Sequence, residues 1–416
     1  MSLNTIINRK KGLSLIKRNS VKKNFFLDIS LNIISSALSA VILQFVIYPL
    51  ISRKLDQISF GEILTIMGIV NISAVMLGNS LNNIRLIVNS EYEEEKVTGD
   101  FLPLLGMASI VNISIIIVAT FLLNISKSPF SIFILVIISL LTLMRSYLSV
   151  AYRIKINYKM IFYHSVVYCI GLIIGAILMQ FWFSWEIAFL CGEIFSFIYL
   201  IFTSDLHKEP IKITLKFRST LKRYYYLAIS SFIGNVLVYL DRLIILPVLG
   251  GRSVAVYYAA TIIGKMSSFV LQPISGVLLT YFSKSKRRMR VKEFWIINLL
   301  VLGFSLIALL GCVILTSYIL KFLYPNLYDD AVKILYLANL AAILTAASSI
   351  TQSIILKYCA TIWQTIIQTI YGAIYIGLGL VLINHSGLIG FCIAAIIAVL
   401  VKILLFLTIG AVSLRK

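Results

Sequence analysis

Charge is the first thing this chain has little of. Only 13% of its 416 residues are charged, about half the share of roughly 25% found in soluble globular domains, which excludes a water-facing shell around an ordinary core. Acidic side chains are the scarcest, 16 against 37 Lys and Arg. There are three histidines and five cysteines. Cys169, Cys191, Cys312, Cys359 and Cys392 fall in or beside apolar runs without metal-ligand spacing, so they read as buried, unreactive thiols. No HExxH, GxSxG or GxxxxGK[ST] stretch occurs. The residues therefore point away from an enzyme, a resident metal or any organic cofactor, and leave only an ion gradient to drive work.

What the chain does have is long apolar runs. Stretches near 20 residues match a hydrocarbon core about 30 Å thick, and twelve are readable: 29–51, 61–82, 101–123, 130–151, 161–183, 186–202, 226–249, 254–281, 294–320, 332–356, 362–383 and 387–412. The run 186–202 is the least apolar, because it opens on Glu186 and contains Glu193. The expectation is an all-α polytopic membrane protein whose basic N-terminal stretch is not a cleaved leader.

The cations sort by side. With the N-terminus in the cytoplasm, twenty-seven of the 37 Lys and Arg lie in the tails and in alternate connections, and six lie on the opposite face. Such asymmetry orients a chain with its basic loops inside, both termini cytoplasmic. The run Lys284–Lys292 reads as a juxtamembrane anchor for anionic lipid, with no nucleic-acid partner required. The acidic stretch Glu91–Glu95 reads as a solvated loop, and Tyr224, Tyr225 and Tyr226 as headgroup-level aromatics.

The remaining four cations break the pattern. Arg145, Arg242, Lys265 and Lys402 lie inside apolar runs, with Glu193 and Asp241 as their acidic counterparts. A charge at mid-membrane costs about 2.5–3.5 kcal/mol on translocon scales, so such residues usually face a bundle interior. Asp241 and Arg242 are adjacent, point in different directions from a helix and need separate partners. Four cations against two acids leave an excess of positive charge that an anionic cargo offsets. Phosphate or pyrophosphate suits it, because Arg offers a fork and Lys a point charge. Arg145, Arg242, Lys265 and Lys402 are thus the expected anion-binding set, and Glu193 and Asp241 the expected carriers of a coupling proton or sodium ion.

The longest basic connection divides the chain near its middle. The expected organisation is a tail 1–25, a six-helix lobe 26–203, a linker 204–225, a second six-helix lobe 226–412 and a tail 413–416. Tyr48–Gly61 (YPLISRKLDQISFG) and Leu246–Tyr258 (LPVLGGRSVAVYY) echo each other: a proline near the end of the lobe's first helix, a turn with an Arg, then an aromatic. Repeated halves of this kind are common in transporters.

Val238–Ile263 (VYLDRLIILPVLGGRSVAVYYAATII) resembles the opening of the second half of bacterial polysaccharide flippases, where an Asp-Arg pair precedes a turn and a Tyr-rich helix. Tyr48–Ile63 and Leu323–Leu335 (LYPNLYDDAVKIL) resemble two further connections of that family. Asp56 replaces the glycine usual before its Phe-Gly motif, so that turn is expected to differ. The resemblance, loose at each motif, covers the whole chain in length and span pattern. It implies the multidrug/oligosaccharidyl-lipid/polysaccharide exporter superfamily, with its two six-helix lobes around a central cavity, shared with multidrug and toxic compound extrusion (MATE) transporters. It also implies an O-antigen or capsule repeat-unit flippase of the bacterial inner membrane, moving an undecaprenyl-pyrophosphate-linked oligosaccharide to the periplasmic leaflet. Polysaccharide polymerase and chain-length machinery are the partners it adds. The alternative on the same fold is an exporter of drugs or of another lipid-linked precursor.

Overall fold

The computed structural model describes residues 27, 30–123, 128–182, 184–284, 289–360 and 362–415. The basic N-terminal tail 1–25 and the heart of the Lys284–Lys292 anchor, 285–288, lie outside them. The described residues contain helices and no strand. Ten helices among them are long and apolar enough to cross a membrane: α1 (Ser30–Lys54), α2 (Gln57–Glu94), α3 (Phe101–Leu123), α4 (Pro129–Ile154), α5 (Tyr158–Trp182), α6 (Glu186–Thr203), α7 (Phe217–Lys284), α8 (Val291–Leu323), α9 (Pro325–Tyr358) and α10 (Ile362–Arg415). The chain is a multi-pass membrane protein.

Each of the two longest helices holds two of the expected spans and is broken once. In α7 the break is Gly250 (φ 79°, ψ 175°), and in α10 it is Ser386 with Gly387 (φ 58°, ψ −139°). Both glycines have positive φ, where a side chain would collide with the backbone. The weakly apolar run at 186–202 is helical, and its two acids are buried: Glu186 accepts from Ser131 and Ser184, and Glu193 from Arg145.

Two π-helical segments interrupt otherwise regular helices, Leu43–Ile47 in α1 and Asn71–Val75 in α2. The first precedes Pro49, which has no N–H to return to the Phe45 carbonyl, so the local hydrogen-bond ladder must shift. At the second, the Asn71 side-chain amide donates to the Met67 carbonyl (2.7 Å), and a side chain inserted in the ladder is a known cause of distortion.

Chain contacts gather into two compact units. One takes in residues up to Leu43, Ser73–Ile116 and Phe130–Ser231; the other takes in Gln44–Ile72, Ile117–Pro129 and Phe232 onward. Both π segments fall where α1 and α2 pass from one unit to the other.

The first unit is held by polar bonds buried among apolar side chains. Asn82 donates to the Ser146 carbonyl (2.9 Å), and Asn112 donates to Ser139 (2.9 Å). Such bonds contribute about 0.6 kcal/mol each in membrane interiors. The connection after α6 is docked as well. Asp100, fully buried, accepts from the Thr214 backbone N–H (2.7 Å), the Thr214 hydroxyl (2.5 Å) and Tyr92 (2.7 Å). Arg85 pairs with Glu209 (2.6 Å) and lies over the Phe101 ring. The acidic stretch Glu91–Glu95 is solvated but is the end of a helix and not a loop: α2 continues through Glu94, Glu91 pairs with Arg223 (2.9 Å) and Glu95 with Lys216 (2.7 Å). Thirty-eight residues at about 1.5 Å each carry α2 well beyond a hydrocarbon core, so its last turns are free to hold the basic connection.

In the second unit the two echoing segments pack directly on one another. A Cβ on Gly61 would sit 1.8 Å from the Gly251 carbonyl oxygen, and one on Gly251 would sit 2.2 Å from that of Ile58. Only glycine allows this approach, and it explains why both segments carry one after their proline. Around it, Tyr48, Phe60, Tyr258 and Tyr324 form an edge-packed aromatic cluster with centroids 5.5–6.4 Å apart. The position occupied by Asp56 is the N-cap of the Gln57–Val70 segment of α2, its carboxylate accepting from the backbone N–H of Ile58 and Ser59, each 3.1 Å. Asn339 ties α9 to α7, donating to the Ala260 carbonyl (2.8 Å) and accepting from the Gly264 N–H (3.0 Å).

Candidate functional site

The six charged residues singled out within apolar runs divide between the units. In the first, Arg145 of α4 and Glu193 of α6 form a two-pronged pair, Nε to Oε2 at 2.8 Å and Nη2 to Oε1 at 3.0 Å. The guanidinium lies 4.6 Å from the Tyr168 ring centroid, so an aromatic face covers what the carboxylate does not. The planar fork of Arg fits such a pair, whereas a Lys could meet the carboxylate only as a point charge.

The other four charges lie in the second unit. Asp241 and Lys265, on either side of the Gly250 break, form an ion pair. Arg242 turns the other way, as expected of a helical neighbour, and donates from Nη1 to the Leu64 carbonyl (2.6 Å). Its guanidinium carbon is 5.4 Å from the Tyr239 ring and 5.2 Å from the Tyr258 ring. Lys402 of α10 is 5% exposed, with its Nζ 4.9 Å from the Tyr371 centroid and 5.8 Å from that of Phe406.

The charge excess thereby acquires an address. Each buried acid of the set is matched by one cation, and Arg242 and Lys402 form no ion pair among the described residues. Aromatic faces stabilise them instead, by about 2 kcal/mol or more for a desolvated cation. The Arg242 Nε and the Asp241 Oδ1 are buried with no hydrogen-bond partner. Such atoms cost about 1–3 kcal/mol each when left unmade.

A row of ring contacts runs from Lys402 to Lys265. Lys402 lies over Tyr371, which stacks on Tyr375 (5.8 Å); Tyr375 meets Phe391 (5.6 Å), Phe391 meets Tyr257 (5.3 Å), and Tyr257 lies under Lys265. The arrangement is a row of rings with Lys402 at one end and the Lys265–Asp241 pair at the other, while Arg242 lies against a separate pair of rings, Tyr239 and Tyr258. It suits an anion whose charge is dense and whose neighbouring groups are hydroxylated. The tyrosines were not singled out from the sequence. Their signal was the pair Tyr257–Tyr258 and the i, i+4 pair Tyr371 and Tyr375, which places two rings on one helix face. Among the described residues no group of three His, Cys, Asp or Glu is placed to hold a metal.

No protein-family profile matches the sequence, and no curated protein matches it. Solved structures do match the fold. One is an inward-facing multidrug resistance MATE family transporter of the MOP superfamily, with TM-score 0.69 and 10% identity, covering 92% of this chain and 96% of that one. A second is the lipid II flippase MurJ in an inward closed conformation, with TM-score 0.64 and 19% identity, covering 93% and 86%. A third is the Vibrio cholerae MATE transporter VcmN in the bent form, with TM-score 0.60 and 14% identity, covering 95% and 98%. At these identities the likeness establishes the fold: this chain has the architecture of MATE and MOP-superfamily transporters.

Proposed function

We propose that the protein is a flippase that carries an undecaprenyl-pyrophosphate-linked oligosaccharide, an O-antigen or capsule repeat unit, across the bacterial inner membrane by alternating access. Both termini face the cytoplasm in this reading. The observation that carries it is the pair of buried cations outside any ion pair, Arg242 and Lys402, each set against two aromatic rings. The fold likeness to a lipid II flippase supports it. The pyrophosphate meets Arg242 and Lys402, while tyrosine hydroxyls and ring faces suit the first sugars.

The two ion pairs give a route to coupling. A pyrophosphate and a carboxylate compete for the same cation. Protonating Asp241 frees Lys265 for the headgroup, and protonating Glu193 frees Arg145, because loss of the negative charge removes the attraction that holds the pair. Proton entry on one side and release on the other then alternates the affinity for the cargo. A sodium ion at either carboxylate acts in the same way.

The test is deletion of the gene in the source bacterium. The expected outcome is loss of surface polysaccharide, accumulation of the lipid-linked unit on the cytoplasmic side, and rescue by the wild-type chain but not by Arg242→Gln or Lys402→Gln. Intact polysaccharide together with sensitivity to cationic drugs would instead support the exporter reading. The pairing of Glu193 and Asp241 with cations disfavours that reading, because a cationic drug needs a carboxylate.

A further inference from the structure

The connection between α6 and α7 carries a feature that transport leaves unused. From Ile211 to Thr214 the backbone is neither helix nor strand partner, and Leu215 lies in the turn that leads into α7, closed by the Phe217 N–H on the Thr214 carbonyl (3.1 Å). The inward side is fastened to the first unit. The Lys212 carbonyl accepts from the Asp100 N–H (2.8 Å), Thr214 gives its N–H and hydroxyl to the Asp100 carboxylate, and Lys216 reaches the Glu91 carbonyl (2.9 Å) and Glu95. The outward side is Ile211, Ile213 and Leu215, which are 79%, 73% and 105% exposed.

A segment pinned by a fully buried carboxylate while it presents three bare aliphatic side chains is costly in water and calls for an apolar contact. The flanking charges indicate which one. Lys212, Arg218 and Lys222 are exposed beside the strip. Thr203 at the end of α6 is hydrogen-bonded to Tyr152 near the end of α4, where the exposed Lys155, Ile156 and Lys159 follow. The strip lies in the connection between the ends of two membrane-crossing helices, α6 and α7. Aliphatic tips beside long cations match the acyl boundary and phosphate layer of an anionic leaflet.

We infer that Ile211, Ile213 and Leu215 form a lipid-inserted strip, held in place by Asp100 and drawn to anionic lipid by the surrounding Lys and Arg, which anchors the first unit to the leaflet. This rests on the first unit's geometry alone and is independent of the transported cargo.

The test places a reporter on the strip. The Leu215→Trp and, separately, Ile213→Trp variants of the full chain are put in nanodiscs of phosphatidylcholine with one quarter phosphatidylglycerol, with plain or chain-brominated lipids. Wild-type emission is subtracted to remove the four native tryptophans. The added Trp should lose at least half its emission in brominated lipid, while Lys208→Trp does not. Quenching should weaken without phosphatidylglycerol and when Asp100→Ala is added. Emission unchanged by bromine but quenched by aqueous acrylamide, as for a site facing the cytosol or a soluble partner, would overturn the proposal. Quenching that is equal with and without phosphatidylglycerol would overturn the anionic preference.

Discussion

Lys402 is an ammonium 5% exposed, facing the rings of Tyr371 and Phe406 and no carboxylate. Keeping it charged there costs on the order of 2–3 kcal/mol relative to an apolar side chain, a cost that makes sense only if the charge is used. Because the ring faces return about 2 kcal/mol of that cost, Lys402→Met should leave the unfolding midpoint of the detergent-solubilised protein at or slightly above that of wild type, and abolish surface polysaccharide. A variant less stable than wild type would remove the argument that the charge is kept for function. Arg145 and Glu193 behave oppositely, because each depends on the other. Glu193→Gln leaves a buried guanidinium uncompensated and should cost about 3–5 kcal/mol, while Arg145→Met combined with Glu193→Met should recover most of that in the same melting experiment. The four buried cations were legible because a charge inside an apolar run stands out. Their partners were not: Glu193 is 48 residues from Arg145 in sequence, and only folding joins them.

At the scale of elements, α2 shows how short-range and long-range information divide. Its length was underestimated because Glu91–Glu95 reads as a loop when its partners, Arg223 and Lys216, are more than a hundred residues away. Its start was legible as unusual and is now explained, since Asp56 caps the helix. Accepting two backbone N–H groups and the Ser59 hydroxyl holds the Asp56 carboxyl below its ordinary 3.8. A depressed folded pKa means the stabilisation is present above 3.8 and is lost as pH falls through the lower folded value. Asp56→Ala should cost about 1 kcal/mol at neutral pH. Asp56→Asn should keep most of the cap and remove its acid sensitivity, as melting between pH 3 and pH 7 would show. The Gly61–Gly251 contact makes a sharper demand. The atoms a Gly251→Ala Cβ would meet are backbone, at 2.2 Å from the Ile58 carbonyl oxygen, and backbone cannot rotate aside. That variant should lose about 1–3 kcal/mol, whereas Gly234→Ala, within a helix and with open space around it, should gain about 0.5–1 kcal/mol.

At the scale of the molecule, the helical membrane class was readable from composition, because no other fold class buries runs of this length at 13% charge. The division of α7 and α10 was readable only in part. The breaks at Gly250 and at Ser386–Gly387 fall between the expected spans, and each pair folds back on itself there, as the Asp241–Lys265 pair and the Lys402–Tyr371 contact show. The assignment of Gln44–Ile72 to the same unit as the second half of the chain had a trace in the echo between Tyr48–Gly61 and Leu246–Tyr258. Periodicity alone does not say that repeated segments pack together. The tyrosine lining was the least legible part, since Tyr within an apolar helix is as common in a headgroup belt as in a binding site. The central claim is that Arg242 and Lys402 exist to hold a pyrophosphate. It is tested most directly by native mass spectrometry of the purified protein titrated with undecaprenyl pyrophosphate and, in parallel, with undecaprenol. The account predicts that the pyrophosphate binds at least tenfold more tightly, about 1.4 kcal/mol, and that Arg242→Gln and Lys402→Gln each remove that difference. Equal affinity for the two lipids, or a preference untouched by both substitutions, would contradict it.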